Sequence, residues 1–265
     1  MTFRNISHGW QGKQVSSFGN FRRDRKANNP AVITDGLVLN VDGGNPLSYT
    51  GSGTTWTDLS ASATNAALTN GPTYGNSNNG FITFDGVNDY ALVTNPATLR
   101  NQNFTVSLWI LPGTQNQALT SLADFEHSNA GGSALNGWVI QSEDATTNRF
   151  YYITYYTGSA FQPTGNFGVG KGLQITTGVW QNLTYTKSGT AVTGYLNGIQ
   201  IYTATAGSGT VLYTAGKNFA IGGTVVAALG RYFKGNISTC QIYNRGLSSS
   251  EVVQNFNATR TRYGL

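Results

Sequence analysis

The sequence is poor in the residues on which most site chemistry depends. Cys240 is its one cysteine, and His8 and His127 are its two histidines. A single cysteine excludes an internal disulfide and a cysteine-based metal cluster, and these three residues are too few for a zinc site. Charge is also scarce: Asp, Glu, Lys and Arg make up 10% of the 265 residues, against about 25% in an ordinary globular protein. Long solvent-facing helices are built from those residues, so their scarcity predicts strands and turns. No run of about 18 apolar residues occurs, so no membrane-spanning helix is expected. The N-terminus lacks the apolar core of a secretion signal, so export by the classical route is not expected either.

Glycine, with 34 residues, and aromatics, at 12%, are plentiful. The net charge of +5 is unevenly placed. Residues 1–30 hold Arg4, Lys13, Arg22, Arg23, Arg25 and Lys26 against Asp24, and the remainder carries ten basic and ten acidic residues. The basic character therefore belongs to an arm over residues 1–30 and not to the body over 31–265. A nucleic-acid binder would spread its charge over a recognition fold, so nucleic acid is disfavoured as a partner. With no period of 2 or 3.6, the arm reads as disordered on its own. Its aromatic residues, Phe3, Trp10, Phe18 and Phe21, favour an arm that orders on an acidic protein surface or a larger assembly.

From Asp35 the chain reads as short strands separated by Gly and Asn. In Phe104-Thr-Val-Ser-Leu-Trp-Ile, the residues Phe104, Val106, Leu108 and Ile110 share one face, and Thr105, Ser107 and Trp109 share the other. Asn197-Gly198 between apolar runs predicts a tight hairpin. Further strands are expected near 37–41, 81–84, 90–93, 138–142, 150–156, 180–186, 218–222 and 235–243. One helix is expected, where Ser248 and Glu251 form a capping box ahead of Val252, Val253 and Phe256. The pattern predicts an all-β, two-sheet antiparallel sandwich with a short C-terminal helix and an extended basic N-terminal arm.

Five segments in order carry a family resemblance: GLVLNVDGGNPLSYTGSGTTWTDLS (36–60), FDGVNDY (84–90), FTVSLWI (104–110), VWQNLTYTKSGTAVTGYLNGIQIY (179–202) and YFKGNISTCQIYNRGLSSSEVVQNFNATRTRYG (232–264). The body resembles LamG-like, concanavalin A-like jelly-roll domains, and its opening and closing segments are similar to those of tailed-phage virion proteins. The resemblance implies a sandwich that binds or decorates, and the fold hosts sugar binders, glycan hydrolases and passive spacers alike. On this footing the chain is expected to be a non-enzymatic virion protein at the capsid surface, neck or tail fibre. The arm would dock it to other virion proteins, it would form a homo-oligomer in the assembly, and its sandwich would contact host-surface glycans. A free Ca²⁺-dependent lectin and a glycan depolymerase are the rival expectations.

Hydrolysis needs two carboxyl groups across the scissile bond, and the Glu-x-Asp-x-x-Glu or Glu-x-Asp-x-Glu strand pattern that the resemblance would imply is absent. Asp124-Phe-Glu126 comes nearest, with both carboxylates on one face if extended, but His127-Ser-Asn-Ala-Gly-Gly follows it and favours a solvated loop. Glu143 and Asp144 would point to opposite faces of a strand and fit a turn better. Gly165-Asn-Phe-Gly-Val-Gly-Lys171 matches the front of a phosphate-binding loop, but Gly172 stands where Ser or Thr is needed and no helix pattern follows.

Two binding functions remain. Ca²⁺ would take the hard oxygens of Asp42, Asp85 and Asp89, as rim carboxylates do in domains of the family that the chain resembles; the same residues are ordinary turn formers. Sugar stacking would use Tyr152 and Tyr156, outward if Tyr151, Ile153 and Tyr155 face the core, with Trp138 and Phe161 nearby. Those aromatics would otherwise fill the interior.

Overall fold

A computed structural model describes residues 30–117, 119–125, 136–143, 149–158, 160–163 and 172–265. The strands are Leu37–Asp42 (β1), Thr55–Trp56 (β2), Ala66–Thr69 (β3), Thr73–Gly75 (β4), Phe81–Asp85 (β5) and Tyr90–Val93 (β6). Then come Phe104–Pro112 (β7), Ser121–Phe125 (β8), Trp138–Glu143 (β9), Phe150–Tyr156 (β10), Phe161–Gln162 (β11) and Leu173–Gln174 (β12). Gln181–Ser188 (β13), Ala191–Leu196 (β14), Ile199–Thr205 (β15), Phe219–Ile221 (β16) and Lys234–Tyr243 (β17) complete them, followed by a helix at Ser249–Thr259 (α1).

They form two antiparallel sheets, as the pattern of short alternating strands requires. The first runs β15-β14-β13-β7-β17-β5-β4, with β1 also on β17; the second runs β11-β10-β9-β8-β16-β6-β3-β2, with β12 also on β10. The inner faces make one core. Phe104, Val106, Leu108 and Ile110 of β7 enter it from the first sheet, and Trp138, Ile140, Tyr151, Ile153 and Tyr155 enter it from the second. This is the two-sheet jelly-roll sandwich that the sequence predicts. Asn197 and Gly198 both take positive φ, 51° and 75°, the left-handed pair that a two-residue hairpin needs.

The outer face of the first sheet is closed by the C-terminus. Trp109, on the odd face of β7, stacks on Tyr263 at 3.9 Å and on Phe256 at 5.7 Å between ring centroids, and its indole N–H donates to Thr259. The α1 cap forms as expected, with Ser248 accepting from the Glu251 amide and Glu251 from the Ser248 amide. The predicted apolar stripe is corrected at one position. Val252 is buried and Phe256 packs inward, but Val253 is exposed, because neighbours on a helix stand about 100° apart. Among the described residues no helix is long and apolar enough to cross a membrane.

Candidate functional site

With one outer face closed by the C-terminus, the outer face of the second sheet is the place to look for a ligand surface. Cross-strand register brings its residues together. Asp124 of β8 lies between Ala220 of β16 and Val139 of β9, Val139 lies opposite Thr154 of β10, Gln141 lies opposite Tyr152, and Tyr156 lies opposite Phe161. Strand alternation puts Gln141 on the face of Val139, and Tyr152 and Tyr156 on that of Thr154. The face is therefore polar and aromatic where its reverse side is apolar.

Side chains on it are tied to one another. The Gln141 amide donates to the Tyr152 hydroxyl at 3.0 Å, and Arg231 donates to the Gln141 carbonyl at 2.7 Å. The ring of Phe161 meets Tyr156 edge-on, 5.2 Å between centroids. Beyond β16, Tyr90 stacks on Tyr232 at 6.3 Å. Burial drives the Tyr156 phenol well above its usual range; the Asp124 charge pushes it the same way, while Thr154 and Arg231 pull it back. Tyr156 is thus a neutral hydroxyl throughout the physiological range.

The expected site residues divide in the structure. Tyr152 and Tyr156 point away from the core, as alternation implies, but they are only 5% and 2% exposed. Their rings are buried and are not open platforms; Gln141 holds the Tyr152 hydroxyl and Phe161 meets Tyr156 edge-on. Trp138 is corrected outright: it pairs with Tyr155, shares its inward face, and stacks on Phe104 in the core at 5.1 Å. Phe161, at 40%, is the exposed ring of the four. Asp124 is also corrected. It sits in β8 with no exposed surface, not in a solvated loop. Its prospective partner Glu126 lies outside the described residues, as do His127, Asp144, the Gly-rich segment 164–171 and the arm with Arg4, Trp10, Phe18, Phe21, Arg22, Arg23, Arg25 and Lys26. Glu143 ends a strand where a turn was expected. Gln141 and Arg231 were missed by sequence reasoning, since only cross-strand register brings them to this face.

The three Asp residues proposed for Ca²⁺ do not assemble. Asp42 accepts from Arg262 at 2.7 Å and from the Gly44 amide at 2.8 Å, so an internal cation already balances it. Asp85 accepts from the Val87 and Asn88 amides, and Asp89 from the Asp85 amide. Burial and the neighbouring Asp85 charge raise the Asp89 carboxyl, and the Asp85 amide moderates the rise. Among the described residues no group of three or more His, Cys, Asp or Glu side chains could hold a metal ion. Asp85 and Asp89 make the local bonds of turn formers, while Asp42 joins its turn to Arg262 at the C-terminus.

Comparison with known proteins fits this geometry. A family model described as the concanavalin A-like lectin/glucanases superfamily matches residues 85–253. No curated protein matches the sequence. Among solved structures, domain 4 of AbnA, an extracellular GH43 arabinanase from Geobacillus stearothermophilus bound to arabinotriose, superposes with a TM-score of 0.60 at 19% identity, over 84% of this chain and 99% of that one. A Trypanosoma rangeli sialidase in complex with sialic acid aligns over 88% of this chain and 34% of its own, at 19% identity and a TM-score of 0.58. The binding domain of Paraclostridial Mosquitocidal Protein 1 aligns over 84% and 52%, at 18% identity and a TM-score of 0.58. At such identities these likenesses establish the fold. With well over half of its length inside the family match, this chain belongs to the Laminin_G_3 family of concanavalin A-like lectin/glucanases.

Proposed function

We propose that the sandwich is a non-catalytic carbohydrate-binding module whose ligand surface is the outer face of the second sheet, centred on Phe161 and Arg231. The observation that carries this reading is the make-up of that face. It presents the exposed ring of Phe161 and the half-buried guanidinium of Arg231, groups that match sugar rings and hydroxyls, backed by the buried Gln141 amide and Tyr152 hydroxyl that hold Arg231 in place. Against these stands Asp124, the one carboxylate among the described side chains of β8, β9 and β10, where hydrolysis requires two. The complex of AbnA domain 4 with arabinotriose supports a sugar ligand for this architecture.

Glycan-array screening followed by calorimetric titration of the full chain tests it. Saturable binding to a glycan should weaken about tenfold in Phe161→Ala, the loss of one stacking platform, with no release of reducing ends from that glycan. Turnover abolished by Asp124→Asn would instead make the protein a hydrolase. Absence of binding across the array would remove the sugar reading.

A second reading concerns placement, and the charge distribution favours it. Six basic residues and four aromatics fall within residues 1–30 of an otherwise neutral chain, a composition suited to anchoring the module on an acidic assembly such as a virion. Deleting residues 1–30 should abolish incorporation into particles while leaving glycan binding intact. Normal incorporation of the deletion variant would overturn this placement.

A further inference from the structure

The sheet ends are protected unequally. Of the edge strands, β4, β2 and β11 are two or three residues long, and the longer β1, beside β17, has its outer backbone groups taken up by Ser48, Asp58 and Leu59. Short edges offer too few unpaired amides and carbonyls to template another strand. The remaining long edge is β15, which runs seven residues, Ile199–Thr205, with the sequence IQIYTAT. It contains no charge and no proline, two of the devices that blunt an edge. Four of its residues, Ile199, Ile201, Thr203 and Thr205, are β-branched and favour pairing. Among the described residues β14 is its one strand partner. Ile199 and Ile201 are 65% and 55% exposed, among the more exposed large apolar side chains of the protein. The register shift opposite Gly194 and Tyr195 places Ile201 in a bulge, after which Tyr202–Thr205 continues as a regular ladder strand.

We propose that β15 is a self-association edge: two copies of this chain pair antiparallel along it about a twofold axis, fusing their first sheets into one continuous sheet. An edge chooses its partner by backbone hydrogen bonds and by the side chains beside them. The uncharged side chains here give a charged peptide nothing to pair with, whereas an identical strand brings the same isoleucines and threonines, as a twofold contact requires. Charge allows the approach, since beyond residue 30 the chain has ten basic and ten acidic residues and two bodies meet without net repulsion. The pairing edge lies on the first sheet and the candidate sugar face on the second. A dimer would therefore carry two ligand sites, one on each second sheet, and glycans on a surface would be held with avidity.

Sedimentation of the full chain over about a hundredfold concentration range tests the proposal. The mass should rise from monomer to dimer, with amide hydrogen exchange at 199–205 slowed in the dimer. Ile201→Lys and Thr203→Lys, both at exposed positions, should each weaken association at least about tenfold by placing charge at the seam, with circular dichroism and melting unchanged. A monomer at every concentration would overturn the proposal. So would a dimer that survives both substitutions, or slowed exchange at 199–205 that requires a different protein.

Discussion

The ammonium of Lys187 has no exposed surface. It donates to the carbonyls of Gln102 (2.6 Å), Gly189 (3.0 Å) and Gly209 (2.6 Å) and stands 4.6 Å from the centroid of the Tyr155 ring. One side chain thereby ties together the lead-in to β7, the β13–β14 turn and the segment after β15. Burial lowers its pKa from 10.5 to about 8, although the three carbonyls and the ring favour the charged form and offset part of that cost. Between about pH 8 and 10 the unfolded chain holds the proton that the folded one has released, so stability should rise with pH over that window, by up to about 3 kcal/mol and by less to the extent that the carbonyls and the ring offset the burial. Above pH 10 the trend reverses. Tyr151, Tyr155 and Tyr202 are raised to about 12 by burial, so the unfolded state loses protons first. Urea denaturation at several pH values checks both limbs. Lys187→Met should abolish the rise and, by leaving carbonyls without a donor, cost about 1–3 kcal/mol at neutral pH.

At the scale of the element, α1 depends on the joint at its N-terminus. Glu251 accepts from the Ser248 amide at 2.8 Å and, through both carboxylate oxygens, from Arg245 at 3.0 and 2.6 Å. Arg245 and then the Ser248 amide hold the Glu251 carboxyl down to about 2. A lowered carboxyl stabilises the fold above its unfolded value near 4.5, and the contribution is lost as pH falls from there toward 2. Because the pair is partly solvated, the loss should be about 1–2 kcal/mol. Acid titration of the melting temperature should show this limb in the native chain and not in Glu251→Gln. Loosening α1 would in turn uncover Trp109, whose indole and ring are held by Thr259, Phe256 and Tyr263.

For the molecule as a whole, Cys240 reports on the integrity of the sandwich. It lies in β17, between β1 and β7 of the first sheet, fully buried. Burial, with Asp58 adding to it, pushes its thiol far above the usual range, and the thiolate is the reactive form. Thiol labelling should therefore proceed only through opening of the sheet, with a rate that follows global unfolding as urea is raised. Fast labelling without denaturant would mean that β1 or β7 detaches locally.

Alternation in the sequence settled which residues of a strand share a face. Phe104, Val106, Leu108 and Ile110 point inward, as do Tyr151, Ile153 and Tyr155, because the period of an extended chain is a local property. The hairpin at Asn197-Gly198 and the cap at Ser248 are equally local, needing only backbone preference and a side chain within a few residues. The sequence also fixed the separation of a basic segment from a neutral body. It could not show strands of two or three residues such as β2, β11 and β12, which exist only because a neighbour pairs with them. Nor could it join Gln141, Arg231 and Asp124 to the tyrosines, or separate Asp42 from Asp85 and Asp89. Trp138 was misplaced for the same reason: its face follows from its pairing with Tyr155, a register that neither strand shows by itself. Periodicity is written along the chain, whereas register and the covering of a face arise between segments far apart in it. Tertiary structure alone decides them.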